Sequence, residues 1–443
     1  MQKTDLTTFL IPFVYFIAGA TSLAGVATTF FYKDDIGLSI AQVQILGSIA
    51  ILPWSIKPIY GMISDRVPIW KLRRKPYLFF AGLCGSAGYF LMATTVMGFA
   101  GAVTASLLSA LGFALADVIV DGIVAERSRT QKEAGKLQTI CRASLMTGAI
   151  VVSYLSGVLV ESIGARNVFF ITGSLPILTS IFALLMEESP DTTVLKTSIR
   201  DFLKNIKALC TPALLWSILF LFLWRSTPTS GGAFSYFLID ELKFKPEFFG
   251  TLSLVSNLTA ILGIVIFRKF LLSLPLRTLF LWIVILSIVL SLPTLGLVYG
   301  WYALLGMSPE FFAIADTAIG GALQEIGFLP LLVLAARLCP KGMEATMFAL
   351  LASVMNIGLA VSDLGGAALT TIFHVHGATD ALASDYANLD IVMWIAILSS
   401  ALPLPLLRFL PETRETSEWK AADSPSGIAS GINALDPLKS DIV

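Results

Sequence analysis

Charged residues are scarce in this sequence and balanced in sign. Asp, Glu, Lys and Arg make up 14% of the 443 residues, and the formal net charge is +0. A chain with so few basic residues lacks the positively charged surface on which nucleic-acid binding depends. We therefore expect no nucleic-acid partner.

Residues that bind metals or carry out catalysis are also few. The two histidines, His374 and His376, form a single H-x-H without a third ligand, which indicates loop residues rather than a metal site. The four cysteines have neither paired nor metal-type spacing, and the motifs H-E-x-x-H and G-x-S-x-G do not occur. The sequence therefore predicts no disulfide framework, no metal, no cofactor and no enzymatic activity.

Long apolar runs dominate the chain. Hydrophobic residues make up 56% of it, and its mean hydropathy is +0.81, which exceeds what one soluble core can bury. A membrane-spanning helix needs about 20 mostly apolar residues. Twelve runs qualify and predict an all-α integral membrane protein. Named α1 to α12 in chain order, they lie at 6–31, 41–63, 77–98, 101–125, 137–162, 168–186, 212–238, 248–267, 278–298, 309–336, 345–373 and 388–409.

An internal repeat organises these spans. Residues 143–157 (ASLMTGAIVVSYLSG, α5) align without a gap with 352–366 (ASVMNIGLAVSDLGG, α11), and seven of fifteen positions are identical. Chance similarity between helices rich in small residues is the alternative explanation. Two six-helix halves repeated in parallel are the arrangement of major facilitator transporters, which bind substrate near the bilayer midplane. The predicted parts are a half at 1–186, a linker at 187–211, a half at 212–410 and a polar tail at 411–443.

The positions of Lys and Arg in the short loops predict the orientation. Eighteen of them, from Arg66 to Lys341, fall on one side, hereafter the basic side. The opposite side holds only Lys33, Arg166, Lys243 and Lys245. We expect the basic side and both termini to be cytoplasmic. Because no transit peptide is recognisable, a bacterial plasma membrane is favoured over a plastid envelope.

The loop after α2 carries a recognisable motif. Residues 61–75 (GMISDRVPIWKLRRK) resemble the G-x-x-x-D-R signature that major facilitator proteins have between their second and third helices. Gly61 permits close helix approach, and Asp65 and Arg66 can form charge-assisted contacts with helix ends or with a carboxylate on α4. We expect these two residues to act in gating, and the basic cluster 71–75 to serve mainly topology.

Several ionisable residues fall inside the predicted spans. A charge in lipid costs about 2.5–3.5 kcal/mol on insertion scales, so such residues should face a cavity or a partner. Counting along the spans places five of them at similar depths on five helices, and we predict that these five bind substrate. They are Lys57, Asp117, Arg142, Arg225 and Glu325. A second set is assigned to gating or proton coupling: Asp65, Arg66, Asp121 and Asp363.

Two of these assignments have open alternatives. Asp117 and Asp121 lie one turn apart on α4 and resist double ionisation, so one of them can carry a proton. For Asp121, gating with Arg66 is favoured over contact with substrate. Arg142 either neutralises Asp117 in a structural ion pair or binds an anion.

Helix breaks are expected beside three of the charged residues, because interrupted helices line transporter cavities. Arg225 lies next to Thr227-Pro228, and Glu325 precedes Gly327 and Pro330. Lys57 lies between Pro53 and Pro58.

Four stretches resemble one family within the major facilitator superfamily, the folate-biopterin transporters. They are 32–39 (YKDDIGLS), 52–65 (LPWSIKPIYGMISD), 116–127 (ADVIVDGIVAER) and 329–346 (LPLLVLAARLCPKGMEAT). The resemblance covers roughly residues 10–410 and implies transport of folates or pterins. The family pattern carries over at Lys57, Pro58, Gly61, Asp65, Asp117, Asp121, Glu126, Arg142 and Pro330.

The resemblance implies a secondary active transporter working by alternating access, with the proton as candidate coupling ion. A pterin's N3–H and 2-amino group suit a carboxylate such as Asp117 or Glu325, and the carboxylates of folate suit Arg142, Arg225 or Lys57. A major facilitator carrier of another anionic or zwitterionic metabolite would use the same charges. A non-transporting ligand sensor on this scaffold is the alternative from another class. We expect a monomer in the bilayer.

Overall fold

The computed structural model describes residues 6–127, 131–188, 190, 211–339, 344–379 and 382–410. In these ranges the chain is helical, apart from loops and isolated β-bridges such as His376 with Asp385. Eleven described helices are long and apolar enough to cross a membrane, and the shorter apolar helix Leu214–Arg225 completes the twelve predicted spans. The expected all-α, multi-pass membrane fold is confirmed.

The helices follow the predicted order. The first six spans are α1 (Leu6–Ala20, then Ala24–Phe30 and a π-helical turn, Phe31–Asp35), α2 (Ile40–Ala50, Leu52–Ser55 and Lys57–Arg66), α3 (Lys75–Thr94), α4 (Phe99–Arg127), α5 (Gln131–Ile163) and α6 (Ala165–Leu185). The second six are α7 (Pro212–Arg225 and Gly231–Asp240), α8 (Pro246–Ile266 and Phe267–Leu271), α9 (Leu276–Leu290 and Leu292–Val298), α10 (Pro309–Arg337), α11 (Glu344–Ile372) and α12 (Leu389–Ser399, then Leu404–Phe409).

Two of the three expected helix breaks are present. In α2 the helix is interrupted at Ile51 and Ile56, and each following segment has a proline in its first turn, where no backbone N–H is needed. In α7 residues 226–230 separate the two helical parts. Lys57 therefore begins a helical segment and Arg225 ends one.

The third expected break is wrong. Helix α10 continues without interruption through Gly327 and Pro330. A membrane helix tolerates an internal proline where its neighbours hold it in place. Leu331 and Leu334 just beyond the proline are 0% and 1% exposed and belong to a continuous apolar cluster, which supplies that support.

Helix packing follows the internal repeat. Helix α5 packs along α1 and α8, and α11 packs along α7 and α2, so the same pairs recur with the halves exchanged. The aligned residues Gly157 and Gly366 both lie at close backbone contacts, Gly157 with α8 of the other half and Gly366 with the break in α7 of its own half. A Cβ on Gly157 would stand 2.2 Å from the carbonyl oxygen of Pro246, and one on Gly366 would stand 2.1 Å from that of Thr229. Only glycine allows backbones to approach so closely.

The boundaries of the two halves stay predictions. Most of the linker at 187–211 and the whole tail at 411–443 lie outside the described residues.

Candidate functional site

A cavity of about 530 Å³ lies among α1, α2, α3, α4 and the second part of α7. Its walls combine aromatic rings with hydroxyl groups, and Tyr32 and Ser106 share a buried hydrogen bond of 2.8 Å. None of the described residues that line it is Asp, Glu, Lys or Arg. The aromatic lining residues are Tyr32, Trp54, Tyr89, Phe113 and Tyr236.

The predicted acids of α4 lie beside this cavity, towards the basic side. Phe113 lines the cavity, and Asp117 and Asp121 follow it on the same helical face, one and two turns further on. The Nζ atom of Lys57 lies 2.6 Å from Oδ2 of Asp117 and 4.4 Å from the ring centroid of Trp54, which also lines the cavity. A charged layer therefore adjoins the neutral cavity.

The second half adds further charges to this layer. The guanidinium of Arg225 lies 5.5 Å from the ring centroid of Phe328, and its charge interacts with that of Asp363 on α11. Glu325 interacts electrostatically with Arg142 of α5, which links the two sets of helices. The charged layer thus comprises Lys57, Asp117, Asp121, Arg142, Arg225 and Glu325, whereas Asp363 lies against Gly47 of the cavity wall.

Two polar atoms in this layer are buried without a hydrogen-bonding partner among the described residues. They are Nε of Arg225 and Oε2 of Glu325. A buried polar atom left unpaired costs about 1–3 kcal/mol, and more if it is charged. Such atoms are rare in folded proteins and are expected where a ligand completes the bonding.

The structure places Lys57, rather than Arg142, beside Asp117. Asp117 has Lys57 as its ion-pair partner, whereas the charge of the exposed Arg142 interacts with Glu325. The structural pair between Arg142 and Asp117 is therefore not the arrangement found. Binding of an anion stays the prediction for Arg142.

Asp121 has two neutral donors. Tyr15 of α1 donates to its Oδ1 atom over 2.6 Å, and Gln138 of α5 donates to the same atom over 2.8 Å. Neither donor was predicted from the sequence. The gating roles of Asp121, Arg66 and Asp363 stay predictions.

Arg74 has a role beyond topology. Its side chain is 10% exposed, and its Nη2 atom lies 2.7 Å from Asp65 and 2.6 Å from Glu126 on α4. Burial lowers the pKa of the guanidinium, but the hydrogen bond with Glu126 and the charge of Asp65 outweigh it, so the pKa is raised. The mainly topological role of the cluster 71–75 stays a prediction, and Arg74 in addition forms this bridge. The sequence does carry a signal for this bridge. Two acids near the basic side, Asp65 and Glu126, both need a nearby cation to balance their charge.

A buried ion pair joins the two sets of helices at the opposite side. Lys33 of α1 lies 2.7 Å from Asp240 of α7, and both side chains are 7% exposed. Asp240 also accepts hydrogen bonds from the Tyr386 hydroxyl (2.7 Å) and from the Ala378 backbone N–H (2.9 Å). We call Lys33, Asp240 and Tyr386 the lock. The sequence places Lys33 in a loop and gives no sign of this burial.

The lock changes the pKa of Tyr386, which lies in the loop between α11 and α12. Burial raises the pKa of Tyr386, and so do its hydrogen bond to Asp240 and the negative charge of that residue. The phenol is therefore a neutral donor that remains bonded to Asp240 at physiological pH.

Comparison with known proteins identifies the family of this chain. Residues 18–425 match the BT1 family. The chain belongs to the BT1 family. It is 38% identical to the folate-biopterin transporter of Synechocystis sp., over 402 residues that are 90% of this chain and 80% of the relative. It is 27% identical to folate transporter 2 of Plasmodium falciparum, over 96% of this chain and 92% of the relative. BT1 is a transporter family, so the prediction that the protein is not an enzyme is confirmed.

Solved structures show the fold of this BT1 member. The D-xylose-proton symporter matches with a TM-score of 0.67 at 13% identity and covers 93% of this chain and 99% of its own. A bacterial homologue of the lysosomal transporter Spinster, inward-facing and occupied, matches with a TM-score of 0.64 at 14% identity, over 92% and 96%. These likenesses confirm the major facilitator fold.

Proposed function

We propose that this BT1 protein transports folates or pterins across the membrane by alternating access. The observation that carries the proposal is the charged layer beside an aromatic cavity, in a chain whose relatives are named as folate and folate-biopterin transporters. Both halves contribute acids and bases to this layer. A ligand with a flat polar ring and carboxylate groups needs such a combination.

The chemistry of the ligand suits these groups. The flat ring of a pterin matches the aromatic and hydroxyl side chains that line the cavity. The carboxylates of a folate match guanidinium groups, which bind them through two parallel hydrogen bonds. Arg225, whose buried Nε atom has no hydrogen-bonding partner among the described residues, can supply one such group.

The structure supports alternating access because its two ends differ. At the opposite side the lock joins α1 to α7, and the hydroxyl of Tyr236 donates to the Leu38 carbonyl over 2.9 Å. Towards the basic side, Asp121 and Arg142 are exposed. With the basic side in the cytoplasm, these contacts support a conformation that is open inwards and shut outwards.

Coupling to protons is assigned to Asp121. Two carboxylates one turn apart on α4 disfavour double ionisation, and Lys57 already neutralises Asp117. The hydrogen-bonding partners of Asp121, Tyr15 and Gln138, are neutral, so neither of them compensates its charge. Asp121 is thus the carboxylate of this pair that can take up and release a proton.

Uptake into proteoliposomes tests the proposal. Purified protein should accumulate labelled folic acid or biopterin above the level of empty liposomes, and more so with a proton gradient. Arg142→Ala should abolish uptake, whereas Lys245→Ala, which removes an exposed loop cation, should not. Uptake of other anionic metabolites instead would point to a different carrier, and binding without flux would point to a sensor.

A further inference from the structure

The cavity and the charged layer differ in what they can bind. The cavity presents rings and hydroxyls, and its described lining residues offer no cation to a carboxylate. An unpaired anion buried there would lose its hydration without compensation. A flat uncharged ring can instead stack on the aromatic walls and share hydrogen bonds with the hydroxyl groups.

The two ends of the cavity are chemically distinct. At one end Tyr32 and Tyr236 lie against the lock, since Lys33 follows Tyr32 in sequence and its Nζ atom lies 5.6 Å from the Tyr236 ring centroid. The lock closes this end. At the other end Trp54 and Phe113 adjoin the charged layer. The ammonium group of Lys57 makes a cation–π contact with the Trp54 ring, and Asp117 lies one turn beyond Phe113.

A single binding orientation follows from this asymmetry. We propose that the neutral cavity is a subsite for the flat heteroaromatic end of the ligand, which enters first and lies towards the lock, while the anionic end remains in the charged layer. This rests on the proposed function. The cavity volume of about 530 Å³ falls in the usual range for small-molecule sites, roughly 300–1,000 Å³.

Three probes separate the two subsites. Biopterin carries the ring without an anionic tail, p-aminobenzoylglutamate carries the tail without the pterin, and folic acid carries both. Their equilibrium binding is measured with the full-length protein in nanodiscs. Phe113→Leu removes an aromatic face from the cavity with little loss of volume, and Arg142→Gln removes a cation from the charged layer. Phe270→Ala, which truncates an exposed aromatic on α8, is the matched control.

Opposite patterns are expected from the two variants. Phe113→Leu should weaken biopterin and folic acid by about tenfold, the effect of losing one aromatic contact, and leave the tail probe unchanged. Arg142→Gln should weaken folic acid and the tail probe and leave biopterin unchanged. In each variant one probe should bind as before, the tail probe in Phe113→Leu and biopterin in Arg142→Gln. That retained binding shows that the variant is folded.

Other outcomes overturn the inference. If Phe113→Leu weakens the tail probe as much as biopterin, or leaves biopterin unchanged, the ring does not occupy the cavity. If Arg142→Gln weakens biopterin equally, the two subsites are not distinct. If the unmodified protein binds none of the three probes, the proposed function itself fails and the inference fails with it.

Discussion

Lys33 and Asp240 form an ion pair of 2.7 Å across the two sets of helices, with only 7% of each side chain exposed. Such a pair contributes little net stability compared with apolar residues of the same shape, but loss of one partner leaves a buried charge at a cost of about 3–5 kcal/mol. Under the proposed alternating access, the pair would be intact only while this end is shut, so we expect its value to lie in distinguishing conformations.

The first prediction concerns this lock. Lys33→Met should open the opposite side, because the shut conformation would bury an unpaired Asp240. A cysteine at Ser235, which lines the cavity, should then react faster with an impermeant maleimide applied from that side, in a background without the natural cysteines. Lys245→Met is the control, since its pair with Glu161 is exposed and long at 3.8 Å. Equal reactivity in the two variants would contradict the prediction.

The second prediction concerns Arg74. Arg74→Gln should slow transport and lower the thermal midpoint by several degrees, because one guanidinium bridges Asp65 and Glu126. Lys71→Gln, at an exposed position of the same loop, should change neither. A milder effect is expected for Arg74→Lys, which keeps the charge but has one amino group for two carboxylates. Identical transport in the two glutamine variants would show that the bridge has no role.

The third prediction separates proton coupling from substrate binding. Asp121→Asn should remove the response of uptake to a pH gradient while counterflow exchange of labelled substrate continues, since exchange needs no net proton movement. Asp117→Asn should reduce both, because it leaves Lys57 without its partner. A gradient response that survives in Asp121→Asn would assign the proton to another group.

The fourth prediction uses Arg142 and Glu325 as a pair. Single Gln variants at each position should weaken folate binding, and the double variant should lose less than the sum of the two losses. Their charges interact in the structure, so a coupling of roughly 0.5–3 kcal/mol is expected from a double-mutant cycle. Additive losses would mean that the two residues act independently on the ligand.

Local rules predicted the fold well. Hydropathy located all twelve spans, and the prolines of α2 and α7 located their breaks, because both signals depend on neighbours in sequence. The same rule failed at Pro330, where packing against buried neighbours such as Leu331 keeps α10 continuous. The helix-breaking propensity of proline therefore predicts less where neighbouring side chains pack around the helix.

Pairing in the site was less predictable. The sequence indicated which charges lie in the spans but not that Asp117 meets Lys57 rather than Arg142, since this depends on the rotation of three helices. Lys33 and Arg74 were counted as loop cations, and both are buried beside an acid that lies more than fifty residues away, Asp240 for Lys33 and Glu126 for Arg74. Loop position predicts the side of the membrane and says nothing about burial.

The close contact at Gly157 constrains how the two sets of helices can move. There the backbone of α5 lies directly against that of α8, with no side chain between them. Under the proposed alternating access, we therefore expect the two sets of helices to rock about this contact rather than slide past it. A body that rocks about a fixed point closes one mouth as it opens the other, which would keep the membrane sealed to other solutes.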